Sequence, residues 1–146
     1  MECDEYFKFS LDTDRRLVLR IRTKNDKSTY LTFKGSSKHP QDIAWQEWEE
    51  KVTDVETLKN LLLSNGLERV VTIEKNRHSY SFDDFSINVD SIKGLGMFVE
   101  VELISDDVEH SKKRIESLLQ KLNIHKEHII TQGYVPLMIA KQKELV

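Results

Sequence analysis

Two strict alternations meet across a glycine turn between Phe85 and Leu103. Before the turn, Phe85, Ile87 and Val89 alternate with Ser86, Asn88 and Asp90; after it, Met97, Val99, Val101 and Leu103 alternate with Phe98, Glu100 and Glu102. A period of two is that of a β-strand, so each segment has an apolar face and a polar one. Gly94 and Gly96 supply the backbone freedom of a hairpin loop, which sets the strands side by side. Asp90, Glu100 and Glu102 should then share one space. Like charges so placed repel, and a cation is the usual remedy. Oxygen-only ligands suit magnesium or manganese, which keep several waters and are completed by substrate phosphates. The plainer reading of this segment alone is the acidic solvent face of an amphipathic hairpin.

The same two-faced pattern recurs along the chain. Leu17, Leu19 and Ile21 oppose Arg16, Arg20, Arg22 and Lys24, and Leu31 and Phe33 oppose Tyr30, Thr32 and Lys34. A strand over 43–52 carries Trp45, Glu47, Glu49 and Lys51 on one face, and a strand over 70–82 carries Lys75 and Arg77 two apart. Val71 and Ile73 share the parity of those two cations, which requires a bulge or a capped barrel end. Residues 2–9 form a further strand. Turns are expected at 12–14 and 25–28, and 35–40 reads as the most flexible loop.

Helical signals are fewer. Thr53 with Glu56 forms a capping box ahead of Leu58, Leu61 and Leu62, and Gly66 closes that helix. Ser105 or Asp106 caps a second helix, whose apolar side carries Val108, Ile115, Leu118, Leu119 and Leu122, with Lys112, Lys113 and Arg114 outside. Pro136 at a first-turn position starts a short helix through Leu145.

Six or seven consecutive strands with few helices predict an α+β fold, an antiparallel meander curling toward a barrel with helices packed outside. The length, 146 residues, fits a single domain spanning 1–146. With the apolar faces turned outward, the interior would be lined by Arg20, Arg22, Lys24, Lys34, Lys75 and Arg77 beside Glu47, Glu49, Asp90, Glu100 and Glu102. Such a lining must pair its charges or keep them wet. It suits a polyphosphate, with the cations on phosphate oxygens and the acids on a bridging divalent metal. The competing reading is a half-exposed sheet with a salt-bridged outer face.

Charge is nearly balanced, with 22 basic and 25 acidic residues, so no global field points to nucleic acid or an anionic membrane as partner. Cys3 is the single cysteine, no apolar run reaches spanning length, and the acidic start is unlike an export signal; a cytoplasmic protein is expected. His39, His78, His110, His125 and His128 have no metal-ligand spacing.

Taken in order, Asp4-Glu5-Tyr6-Phe7, Leu19-Arg20-Ile21-Arg22, Tyr30-Leu31-Thr32-Phe33-Lys34-Gly35, Glu47-Trp48-Glu49, Lys75-Asn76-Arg77 and the segment from Asp90 to Glu102 resemble the CYTH superfamily of triphosphate tunnel proteins, closest to its class IV adenylyl cyclase-like branch. The resemblance covers most of the chain, and Gly94 through Glu102 is its most specific part. It implies an eight-stranded antiparallel tunnel, a triphosphate substrate such as ATP or inorganic triphosphate, and Mg2+ or Mn2+. Carried over by position, Arg20, Arg22, Lys34, Lys75 and Arg77 would bind phosphates, with Lys34 also serving catalysis. Glu100 and Glu102 would act in catalysis by holding metal, and Glu47, Glu49 and Asp90 would support metal or water. Tyr134 matches a tyrosine near the end of cyclase-like members loosely.

This chain departs from the family in lacking the opening Glu-x-Glu-x-Lys strand and the helix after it, and in having Trp45 where the acidic strand usually begins with arginine. A barrel short of a strand has an open edge, which points to a homodimer as one way of completing it. The expected activity is metal-dependent triphosphate turnover, either cyclisation of ATP with release of pyrophosphate or hydrolysis of a triphosphate. The alternative is a non-catalytic nucleotide- or polyphosphate-binding domain.

Overall fold

The computed structural model describes residues 1–9, 17–36 and 45–144. Strands β1 (Glu2–Phe9), β2 (Leu17–Lys24), β3 (Thr29–Ser36) and β4 (Trp45–Val52) precede helix α1 (Val55–Ser64). Strands β5 (Leu67–Phe82), β6 (Phe85–Ile92) and β7 (Gly96–Leu103) follow, then α2 (Val108–Lys121), a short 3-10 turn (Lys126–His128) and α3 (Tyr134–Glu144). The expected turn at 12–14 and the outer part of the loop expected at 35–40 lie outside the described residues. Gly35 and Ser36 themselves extend β3.

All seven strands join one antiparallel sheet in the order β4-β3-β2-β1-β5-β6-β7, curled into a half-barrel. Among the described residues β4 and β7 each pair on one side only. The β6–β7 hairpin forms at the glycines foreseen for it, with Gly94 at φ 83° and Gly96 at φ 110°, angles that a side chain resists.

Strand parity divides the sheet into two faces. On the convex face Phe7, Leu19, Ile21 and Leu67 are buried against Leu31, Phe33 and the α1 residues Val55, Leu58 and Leu62. Each such side chain withdrawn from water contributes about 1.5–3 kcal/mol. Helix α2 lies along β7, where Leu118 is buried. Its Arg114, expected on the outside, instead reaches Asp84 at 2.7 Å and sits 5.1 Å over the Phe85 ring.

Either of two devices would account for Val71 and Ile73, and both are present. The β1–β5 register shifts between Tyr6 and Phe7, so Phe7 faces Arg69 while Tyr6 faces Val71, and the bulge swings β5 from one face to the other. Val71 and Ile73 do share the concave face with Lys75 and Arg77, and α3 covers them. Met138 of α3 is buried with Val71, Ile73 and Ile92, flanked by Tyr6, Phe98, Tyr134 and Ile139. Rather than adding another outer helix, α3 caps one end of the concave face.

Two helix caps are corrected, and the third helix starts as expected. Asp54, not Thr53, caps α1 by accepting from the Thr57 N–H at 3.1 Å. Asp107, not Ser105 or Asp106, caps α2 by accepting from the His110 N–H at 2.9 Å, while the Ser105 hydroxyl accepts from Asp107 N–H at 3.0 Å. A carboxylate next to a helix N-terminus also gains from the helix dipole. Helix α3 begins at Tyr134, so Pro136 lies inside its first turn, where a missing N–H costs no hydrogen bond.

Candidate functional site: a charge-paired concave face

The alternating residues of β1 to β7 put Glu2, Asp4, Arg20, Arg22, Thr32, Lys34, Glu47, Glu49, Lys75, Arg77, Asn88, Asp90, Glu100 and Glu102 on one face. All the residues proposed from sequence are therefore brought to the same surface. Their grouping differs from what the alternation suggested.

On the β2–β4 side, the Arg20 Nη2 donates to Thr32 Oγ1 at 3.0 Å and to Glu47 Oε1 and Glu49 Oε2 at 3.2 Å each. Thr32 donates to Glu49 at 2.8 Å, and Lys34 Nζ pairs with Glu47 Oε2 at 2.8 Å. Glu47 and Glu49 thus face cations of their own lobe.

In the middle, Arg22 makes a bidentate bond to Asp4, 2.7 and 2.8 Å, and Arg77 makes another to Asp90, 2.7 and 2.6 Å. Both aspartates are fully buried. Burial alone would raise their pKa values, but the arginines, with Lys75, outweigh it and hold both carboxyls below the ordinary aspartate range. Lys75 Nζ is buried at 3.6 Å from Glu2 and 3.8 Å from Asp4 and Asp90. Burial lowers its pKa, and Arg22 and Arg77 lower it further. Tyr134 of α3 completes this group: burial and the Glu100 and Asp90 carboxylates push its pKa up, its ring lies 5.6 Å from Lys75 Nζ, and it tilts against Phe98 at 5.3 Å.

On the β7 side, Glu100 accepts from Arg77 at 2.5 Å, and Glu102 accepts from the Asn88 amide at 3.2 Å. Partial burial raises the Glu102 pKa, and the neighbouring Glu100 carboxylate raises it further, against opposing pulls from Arg77 and Lys34. The influence of Lys34, which stands on the other lobe, reflects how far the sheet curls.

The three hairpin carboxylates therefore do not confront one another unaided. Arg77, from the neighbouring strand, supplies a cation to the hairpin carboxylates, and both Asp90 oxygens are committed to it. Among the described residues no three His, Cys, Asp or Glu side chains converge as a ready-made metal cage. Glu100 and Glu102 remain as an adjacent carboxylate pair whose mutual repulsion a divalent cation would relieve. Magnesium is commonly held by one or two carboxylates, with water and phosphate supplying the rest, and the pair fits that requirement.

Glu2, Asp4, Thr32 and Asn88 were missed as site residues. Glu2 and Asp4 have the right parity on a strand beside Arg22, and that alternation was the available signal. Their importance depended on β1 lying between β2 and β5.

The model of the CYTH domain matches residues 4–134. A candidate adenylate cyclase of Methanocaldococcus jannaschii is 32% identical over 140 residues, which is 92% of this chain and 79% of that protein. Among solved structures, a conserved hypothetical protein of Pyrococcus furiosus superposes with a TM-score of 0.82 at 29% identity, covering 93% of this chain and 81% of the other. A Hippeastrum candidate adenylyl cyclase, described as having a dominant triphosphatase activity, has a TM-score of 0.57 at 15% identity over 84% of this chain and 74% of its own; that likeness is one of fold. No helix among the described residues is long and apolar enough to cross a membrane. With the half-barrel, the charged concave face and a family match over most of its length, the chain belongs to the CYTH domain family.

Proposed function

We propose that this chain binds a triphosphate-bearing small molecule, ATP or inorganic triphosphate, with Mg2+ or Mn2+ on its concave face, and turns it over. The observation that carries this reading is the meeting of two sets of groups on one surface. Arg20, Arg22, Lys34, Lys75 and Arg77 line the face, and beside them Glu100 and Glu102 stand together with Glu102 raised in pKa. Arginines already oriented by carboxylates present their remaining N–H groups to phosphate oxygens without first losing side-chain freedom. Lys34, half-buried at the lip, would follow a developing negative charge. Glu100 and Glu102 would hold the metal, which when bound supplies charge neutralisation on the phosphates. Phosphoryl chemistry asks little more of a protein than positioning and charge stabilisation.

Cyclisation by a ribose hydroxyl and hydrolysis by water draw on the same residues. Relatives named for adenylate cyclase and for triphosphatase activity support either outcome. The deciding experiment measures phosphate, pyrophosphate and cyclic AMP released from ATP and from inorganic triphosphate, with magnesium or manganese, for this chain and for Glu100→Gln/Glu102→Gln. Metal-dependent turnover absent from the double variant supports the reading, and the product names the branch. The alternative, a binder without turnover, draws support from β4 and β7 each pairing on one side only among the described residues, a half-barrel rather than a closed tunnel. Triphosphate bound with no product under either metal would establish that alternative.

A further inference from the structure

Glu102 differs from every other central carboxylate in what holds it. Asp4 and Asp90 are gripped by arginines, and Glu100 by Arg77, so each has its charge offset by a cation. Glu102 is held by a neutral group, the Nδ2 of Asn88 at 3.2 Å. Asn88 is 3% exposed, and its other amide atom, Oδ1, lies 2.7 Å from Ser79 Oγ. A carbonyl oxygen cannot donate, so the Ser79 hydroxyl donates to it, and the amide N–H groups are left to face Glu102. The flipped amide would set its carbonyl against the carboxylate, two acceptors in contact, so chemistry permits one orientation. The chain Ser79, Asn88, Glu102 crosses β5, β6 and β7 and fixes the carboxylate while leaving its negative charge uncancelled.

We propose that Asn88 is a positioning residue, locked by Ser79, that aims the Glu102 carboxylate for a divalent cation. This rests on the reading that Glu100 and Glu102 hold the metal. A cationic partner would orient Glu102 equally well but would compete with the metal for its charge; a neutral amide orients it without competing. Outer partners of this kind are worth about 10–100-fold in metal affinity.

The test is the affinity for Mn2+, read from the paramagnetic resonance signal of the free ion, alongside metal-free binding of inorganic triphosphate. It compares the wild-type chain with Asn88→Leu, Ser79→Ala and Glu102→Gln. Asn88→Leu is expected to weaken Mn2+ by about 10–100-fold, Ser79→Ala by less but in the same direction, with metal-free triphosphate binding unchanged. If Glu102→Gln weakens Mn2+ while both Asn88→Leu and Ser79→Ala retain it, the positioning role is overturned and the metal reading stands. If Glu102→Gln leaves Mn2+ binding intact, both are overturned. Should Asn88→Leu fail to fold, Ser79→Ala, which preserves the amide and changes only its lock, decides the question.

Discussion

The centre and the lip of the concave face solve the same electrostatic problem differently. At the centre, Asp4–Arg22 and Asp90–Arg77 are bidentate and buried. At the lip, Lys34–Glu47 and the Arg20 contacts to Glu47 and Glu49 are single bonds to acids that remain substantially exposed. Buried pairs cannot be opened without stranding a charge, whereas exposed pairs exchange partners at little cost. The difference teaches that the centre holds a fixed pattern of charge and the lip supplies the adaptable contacts.

The largest effect should come from breaking the centre. Asp90→Ala removes the bidentate partner of Arg77, leaving it Glu100 alone, and takes one carboxylate from the buried Lys75 beside it, so urea titration should register a loss of about 3–5 kcal/mol, the usual consequence of breaking a buried pair. The matching lip substitution, Glu49→Ala, should cost less than about 1 kcal/mol. Equal losses at the two positions would erase the distinction.

Acid should dissolve the centre next. The folded pKa values of Asp4 and Asp90 lie below the ordinary aspartate value of 3.8, so their contribution is complete above that value and declines as pH falls through the folded values. Thermal melts from pH 6 downward should stay level until near pH 4 and then fall, with a shallower fall in Asp90→Asn.

A smaller, opposite response is expected at the lip. Glu47→Gln removes the acid that occupies Lys34 and Arg20, so calorimetry should find metal-free triphosphate bound a few-fold more tightly, on the order of one exposed ion pair. Weaker binding would mean that Glu47 orients Lys34 more than it competes for it.

The smallest effect concerns Glu102, whose folded pKa is raised. Well below its ordinary value of 4.5 both folded and unfolded forms are protonated; stability is lost as pH rises from that value through the raised folded value, above which the folded chain carries a charge it disfavours. Glu102→Gln should therefore melt slightly higher than wild type at neutral pH and equally at pH 4.

Much of this was legible in the chain. Period-two alternation located most strands, although the bulge blurred it in β5, which begins at Leu67 rather than at 70, and the Arg77–Asp90 pair follows from the short connection between β5 and β6. Caps were misread by one or two residues because adjacent Ser, Thr and Asp residues compete for the role, and only the backbone angles choose among them. Helix α3 carries weak amphipathicity, since its first turn must present Tyr134 to a charged group and Val135 to an apolar one. Its place inside the curl was therefore invisible to pattern. Asp4 was hidden for a different reason: its partner Arg22 is brought to it by β1–β2 pairing, and its other neighbours only by the insertion of β1 beside β5.

The self-neutralised arrangement of the concave face has a consequence for its behaviour in salt. A basic groove that awaits its anion collects mobile counterions, and their release makes affinity fall steeply as salt is added. Here the counterions are Asp4, Glu47, Glu49, Asp90 and Glu100, tethered to the same sheet as the cations they offset. The face resembles an ion exchanger with its own resident anions: Asp4 and Asp90 stay fixed at the centre, and the more exposed Glu47 and Glu49 would give way to a phosphate without being set free. Affinity for a metal-bound triphosphate should accordingly decline with ionic strength far more gently than the number of lysines and arginines on the surface would suggest.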